Sequence, residues 1–247
     1  DRLLGAGGMG RVFKAWDPRL RRWVALKFLT GDNPELAARF LREAQAQARI
    51  EHPHVCRVYE VGEVAGRHYI AMQFIDGEPL GRCDSGLTLE QKALVIRQVA
   101  DAIQAAHRLG IIHRDVKPAN IMLERTEGQI RPFVVDFGLV REIGAEGLTE
   151  TGAAIGTPQF MSPEQALGKA RQVDRRTDVY SLGATLYALV AGHPPLGGET
   201  PVETLLRVIH EEPVPLRKAV PGVPRDLDTI AMKCLEKAPA RRYDSAR

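Results

Sequence analysis

His113-Arg114-Asp115-Val116-Lys117-Pro118-Ala119-Asn120 sets one carboxylate among two cations and an amide, with apolar runs on either side (Ile111-Ile112 and Ile121-Met122-Leu123). Taken alone, the stretch is a polar turn interrupted by Pro118. Its downstream neighbour sharpens the reading. Val134-Val135-Asp136-Phe137-Gly138 follows 21 residues after Asp115, and a carboxylate ending an apolar strand suits a hard cation, which takes oxygen ligands and keeps waters. A β-turn aspartate is the plainer alternative for Asp136 by itself. Between about residues 136 and 162 the chain carries neither helical nor strand periodicity. A structureless stretch of that length in a compact domain is usually functional, so chemistry is expected around it.

Toward the N-terminus, Gly5-Ala6-Gly7-Gly8-Met9-Gly10 fits G-x-G-x-x-G, in which glycines let backbone N–H groups approach phosphate oxygens. An ordinary glycine-rich turn fits equally well without context. A dinucleotide site would need a helix after Gly10, whose N-terminus holds the pyrophosphate. Arg11-Val12-Phe13-Lys14-Ala15-Trp16 instead alternates at period two and runs into Asp17-Pro18, which is a strand. A Walker loop would need Lys then Ser or Thr after the last glycine, where Arg11 and Val12 stand. Strand, glycine turn, strand remains. Val24-Ala25-Leu26-Lys27 comes about 17 residues later. A lysine ending an apolar strand is ordinarily an exposed strand end; as a phosphate ligand it would need an acidic partner, and the next helix offers Glu43.

Bulk properties narrow the class. The 247 residues are enough for one large domain or two small lobes, and 44% hydrophobic with 26% charged residues is ordinary for a soluble globular chain. A net charge of +3 and a pI near 8.8, with no clustered basic stripe, argue against nucleic acid as a partner. Cys56, Cys83 and Cys234 are few, odd in number and widely spaced, which suits a reducing compartment rather than a disulfide framework or zinc site. No apolar run reaches the roughly 18 residues a bilayer requires. Val179 to Ala191, interrupted by Tyr180, Ser181 and Thr185, reads as a buried helix. A cytoplasmic location without membrane contact within this segment is expected. The chain opens in mid-strand at Asp1 and stops at Arg247 inside a helical pattern, so it is expected to be one domain excised from a longer protein.

The punctuation predicts strands at Arg2 to Leu4, Arg11 to Trp16, Trp23 to Phe28, Val55 to Val61 and His68 to Ile75, and a helix from Glu35 to Ile50 ended by His52-Pro53. After Gly77 the pattern turns helical. Thr88-Leu89-Glu90-Gln91 is a capping box and Gly110 closes the helix it starts. Ile111 to Thr157 reads mostly as loop, and helices are predicted at Ser162 to Leu167, Asp174 to Ala191, Pro201 to His210 and Arg225 to Leu235.

Taken together, His113 to Asn120 resembles the H-R-D-x-x-x-x-N catalytic loop of protein kinases, Asp136-Phe137-Gly138 their D-F-G, and Gly5 to Val12 their G-x-G-x-x-G-x-V lid. Lys117 is similar to the Ser/Thr-specific form, and Gly7-Gly8-Met9-Gly10 with Ser162-Pro163-Glu164-Gln165-Ala166 resembles the bacterial eukaryotic-like Ser/Thr kinases. The match spans essentially the whole chain. It implies an α+β bilobal fold: residues 1–75 as a small antiparallel lobe with one helix, and 76–247 as a larger helical lobe. It implies transfer of the γ-phosphoryl group of ATP, with Mg²⁺, to Ser/Thr hydroxyls of proteins, including autophosphorylation with a homodimer as the arrangement for it. Asp115 would accept the substrate proton, Lys117 would neutralise the transferring group, and Lys27, paired with Glu43, would hold phosphates. Asn120 and Asp136 would bind metal. Gly5, Gly7, Gly8 and Gly10 would cover the phosphates. Val12, Ala25 and Leu123 would sandwich adenine, Met72 would stand as gatekeeper, and backbone groups of Gln73 and Ile75 would pair with the adenine edge.

Further marks agree in order. Asp178 resembles the aspartate that anchors the catalytic loop, and Arg242 the arginine that pairs with Glu164. Arg114 beside Asp115 implies a basic pocket for a phosphorylated Thr149 or Thr151, and Thr157 a structural partner of Asp115 and Lys117. The alternative is a pseudokinase scaffold, which usually lacks one of the residues at Lys27, Asp115 or Asp136. One departure stands out. Four residues after Glu43, where the family usually has an apolar side chain, the chain has Gln47. Burying an amide without partners costs roughly 1–3 kcal/mol, so this helix is expected to sit outward until the loop is phosphorylated or a partner binds.

Overall fold

The computed structural model describes residues 2–7, 10–31, 33–83, 86–126, 128–137 and 157–247. Five strands form an antiparallel sheet in the order β1-β2-β3-β5-β4: β1 Arg2–Gly7, β2 Gly10–Asp17, β3 Arg22–Leu29, β4 Val58–Val64 and β5 Arg67–Gln73. The β2–β3 turn is set by Asp17, whose Oδ1 accepts from the Arg19 and Leu20 N–H groups at 3.0 and 3.1 Å. Gly10 is demanded by the sheet itself. It pairs with Leu29, and a Cβ there would lie 2.1 Å from the Phe28 carbonyl oxygen.

Helix α1 (Pro34–Ala48) lies against this sheet. Asn33 caps it, Oδ1 accepting from Glu35 N–H at 2.9 Å, and Pro34 occupies the first turn, where a missing N–H costs nothing. Phe40, Glu43, Ala44 and Gln47 form its buried stripe at helical spacing. Ala25, Leu29, Phe40, Ile70 and Met72 make the core between helix and sheet.

The second lobe is mainly helical. Thr88 and Gln91 complete both halves of the capping box of α3 (Leu89–Arg108), which buries Val95, Val99, Ala102, Ile103 and Ala106. Helix α5 (Arg175–Ala191), capped by Asp174 and closed by Gly192 at φ 79°, is buried almost all round from Thr177 to Leu189. That is the environment a helix with no polar face requires. Against it pack α3 and α8 (Arg225–Cys234), while α4 (Pro163–Ala166) and α6 (Pro201–His210) pack on each other. No helix among the described residues is long and apolar enough to cross a membrane.

The α+β class and all the longer elements agree with the sequence reading. Several short ones were not anticipated: β6 (Gly77–Pro79), α2 (Leu80–Cys83) and α7 (Leu216–Ala219). Ile121–Thr126 (β7) and Gln129–Val134 (β8), read in the sequence only as short apolar runs within a mostly loop segment, complete a second sheet in which β7 pairs with both β6 and β8. Elements of three or four residues are too short to show a period. Val55, expected to open a strand, instead makes an isolated parallel bridge to Val134, and the strand begins at Val58.

Candidate active site

The loop His113 to Asn120 is gripped from beneath by Asp178, in the first turn of α5. This carboxylate is fully buried and accepts from His113 N–H (Oδ2, 2.8 Å) and Arg114 N–H (Oδ1, 2.8 Å), with His107 Nε2 at 2.7 Å from Oδ2. Gln165 Nε2 donates to the Arg114 carbonyl at 2.8 Å. Arg114 thereby holds φ 65°, a left-handed conformation that a non-glycine residue keeps only when its surroundings impose it. The grip of Asp178 was legible in the sequence; those of His107 and Gln165 were not.

His113 is buried, and desolvation lowers its pKa, opposed by the charges of Asp178, Asp115 and Asp136. Its contacts select one tautomer. Asp115 N–H donates to Nδ1 at 3.2 Å, and Nε2 lies 3.2 Å from the Val135 carbonyl, so the proton belongs on Nε2. The ring also packs against Phe137, centroids 4.5 Å apart. This neutral imidazole ties the loop bearing Asp115 to the segment bearing Asp136.

Above it the polar groups converge. Lys117 Nζ lies 2.9 Å from Asp115 Oδ2, and Asn120 Nδ2 donates to the same oxygen at 2.9 Å and to the Asp115 carbonyl at 2.8 Å. Val135 N–H donates to the Asn120 carbonyl at 3.0 Å. Asp136, at φ 53°, presents Oδ1 to Lys27 Nζ at 2.6 Å. That lysine is buried within β3, its side chain 11% exposed against 45% for Asp136. The expected partner of Lys27 was Glu43; the contact at hydrogen-bonding distance is with Asp136. Glu43 itself is buried on the sheet-facing stripe of α1.

The premise of the expectation about Gln47 is corrected. Its amide is buried but not deprived of a partner: Nε2 donates to the Cys56 carbonyl at 2.8 Å, which offsets the desolvation cost. Phe40, Glu43, Ala44 and Gln47 are buried on one stripe of α1.

Ala25, Met72 and Ile75 are buried in the core of the first lobe, against which Val12 packs partly buried, and Leu123 is buried in the core of the second lobe. Gln73 N–H donates to Arg57 O at 2.8 Å and Ile75 O accepts from Gly77 N–H at 3.0 Å. Gly5 and Gly7 lie in β1 and Gly10 in β2. Gly8, Thr149 and Thr151 lie outside the described residues. Thr157 shares with Lys117 the lining of a cavity of about 440 Å³ beside the loop. Arg114 Nε is buried and makes no hydrogen bond. Farther off, Arg242 and Glu164 form a two-pronged pair, Nη1–Oε1 2.7 Å and Nη2–Oε2 2.8 Å.

Comparison with known proteins agrees with this geometry. The protein kinase domain family matches residues 1–246. Serine/threonine-protein kinase PknB of Mycobacterium leprae is 42% identical over 255 residues, covering 99% of this chain and 40% of the relative. The probable serine/threonine-protein kinase SCO3848 of Streptomyces coelicolor is 42% identical over 256 residues, 99% and 37% of the two chains. The chain thus spans about 40% of the length of the curated relatives it matches. Among solved structures, the Mycobacterium tuberculosis PknI kinase domain (C20A_R136A double mutant) superposes with a TM-score of 0.78 at 31% identity, covering 100% of this chain and 90% of that one. Matched over residues 1–246 by one family model and 42% identical to its curated members over nearly its full length, the chain belongs to the protein kinase domain family.

Proposed function

We propose that this chain is the catalytic domain of a Ser/Thr protein kinase, residues 1–75 forming the nucleotide-covering lobe and 76–247 the substrate-side lobe. The observation that carries the reading is the convergence of Asp115, Lys117, Asn120, Asp136 and Lys27 through contacts of 2.6 to 2.9 Å. Asp115, steered by Lys117 and Asn120, accepts the proton of a Ser or Thr hydroxyl and orients that oxygen in line with the γ-phosphorus. The new O–P bond forms as the bond to the ADP oxygen breaks, and Lys117 offsets the charge on the group in transit. Lys27 exchanges its contact with Asp136 for phosphate oxygens, backed by Glu43. Adenine is read by the Gln73 carbonyl and the Ile75 N–H, since the Gln73 N–H and Ile75 carbonyl are already committed.

The donor chemistry fits Mg²⁺. The Asp136 carboxylate and the Asn120 side-chain carbonyl are hard oxygen ligands, and among the described residues no cluster of three His, Cys, Asp or Glu offers a rival metal centre. Asp136 and Asn120 would hold the ion, which when bound supplies charge neutralisation at the phosphate oxygens.

The unpartnered, buried Arg114 Nε supports a pocket for a phosphorylated Thr149 or Thr151, placed there by a second copy of the chain. ATP use and the free, buried thiols of Cys56 and Cys234 support a cytoplasmic setting. A scaffold lacking catalysis finds no support in a site that keeps all three charged residues.

The test is transfer of labelled γ-phosphate to protein by wild type and Asp115→Asn, with Mg-ATP affinity measured alongside. Loss of a proton acceptor should cost about 10²-fold or more in transfer rate while affinity is retained. Equal label in both proteins, or none in either, would refute the proposal.

A further inference from the structure

Gln47 lies one helical turn beyond Glu43 on the buried stripe of α1, and the carbonyl it binds belongs to a junction. Cys56 N–H donates to the Val134 carbonyl at 2.9 Å, and Val134 N–H donates to the His54 carbonyl at 2.8 Å. His54 to Cys56 is therefore zipped to β8, two residues short of Asp136. On its other side, Cys56 Sγ approaches the Gln73 carbonyl at 3.6 Å. The thiol has no reactive role: burial, then the charge of Asp136, pushes its pKa up to about 12. Cys56 serves through its backbone, and Gln47 is the side chain that attaches α1 to it.

An apolar side chain of similar volume would fill the same space but could slide along it. A buried hydrogen bond has one direction and one length, and Cys56 O is a buried acceptor that requires a donor.

We propose that Gln47 is a positioning residue: its amide keys α1, and with it Glu43, to the segment that delivers Asp136, so that both walls of the nucleotide site move as one. This rests on the roles proposed above for Lys27, Glu43 and Asp136.

A double-variant cycle tests it, with Mg-ATP binding read by titration calorimetry and folding by cooperative melting. The proteins are wild type, Gln47→Met, Lys27→Met and the pair combined. Gln47→Met keeps the volume and removes the donor. It should weaken Mg-ATP binding about two- to tenfold, the worth of one buried hydrogen bond, and add nothing further in the Lys27→Met background. Equal weakening in both backgrounds would reduce Gln47 to a generic structural role and overturn the proposal, as would no weakening at all. Should Gln47→Met fail to fold, Gln47→Asn, whose amide is one methylene too short, takes its place with the same outcomes. A wild type that binds Mg-ATP but transfers no phosphoryl group would sink the kinase reading, and the binding cycle would still decide Gln47.

Discussion

Asp178 shows how much one side chain can be asked to hold. Its carboxylate is sealed from water and is shared among His107, His113 N–H and Arg114 N–H. Replacing it by alanine leaves two backbone donors and a histidine nitrogen buried without an acceptor, at about 1–3 kcal/mol for each unsatisfied group. Asp178→Ala is expected to lose on the order of 3 kcal/mol or more in urea unfolding, and to lose phosphotransfer because Arg114 then relaxes from φ 65°. Asp178→Asn keeps an acceptor oxygen and should fall between wild type and alanine in both measurements. The presence of Asp178 at the head of an apolar helix was readable from residue order. Its second partner, His107, lies 71 residues away and carries no local mark, because a buried histidine in an amphipathic helix looks like any half-polar position. Lys27 shows the same limit: a cation needing an acid was plain, yet which acid it meets depends on how two distant segments approach.

At the level of elements, capping chemistry outperformed periodicity. Thr88 starts its helix where the capping box predicts, and the Pro201–His210 helix has the bounds read from sequence. Ser162 belongs to the same class: fully buried, it caps α4 in a complete box with Gln165. That same Gln165 also binds the Arg114 carbonyl, so a cap doubles as a brace for the catalytic loop. Ser162→Ala should cost about 1 kcal/mol, a drop of roughly 2–4 °C in melting temperature for a chain of this size, readable by calorimetry. β6, α2 and α7 escaped prediction for a matching reason. Three or four residues hold less than a period, and only pairing with a neighbour, such as Gly77 against Glu124, makes them elements.

Across the whole molecule, Arg242 draws the end of the chain to its middle. It clamps Glu164 with both terminal nitrogens, also donates to the carbonyls of Arg176, Glu236 and Lys237, and lies over the Tyr180 ring at 5.0 Å. Burial alone would raise the Glu164 pKa, but hydrogen bonding and charge attraction from Arg242 outweigh it and hold the carboxyl below the ordinary glutamate range. A depressed carboxylate pKa adds stability that is complete above the unfolded value and is lost as pH falls through the folded one. The stability gap between wild type and Glu164→Gln, measured by urea titration, should therefore be widest near neutral pH. It should narrow as the solution is acidified through and below the glutamate range; a gap independent of pH would disprove the assignment. What the residue order supplied was the α+β bilobal class, the Thr88 capping box and, through resemblance to the protein kinase motifs, Asp115, Lys117, Asn120 and Asp136 as a candidate set. Those depend on side-chain types at short fixed spacings, which are local properties. What only folding decided was partnership: Gln47 with Cys56, Lys27 with Asp136, His107 with Asp178. A buried polar group takes whichever complementary atom the packing of remote segments brings within about 3 Å, and nothing in its own neighbourhood along the chain specifies that atom.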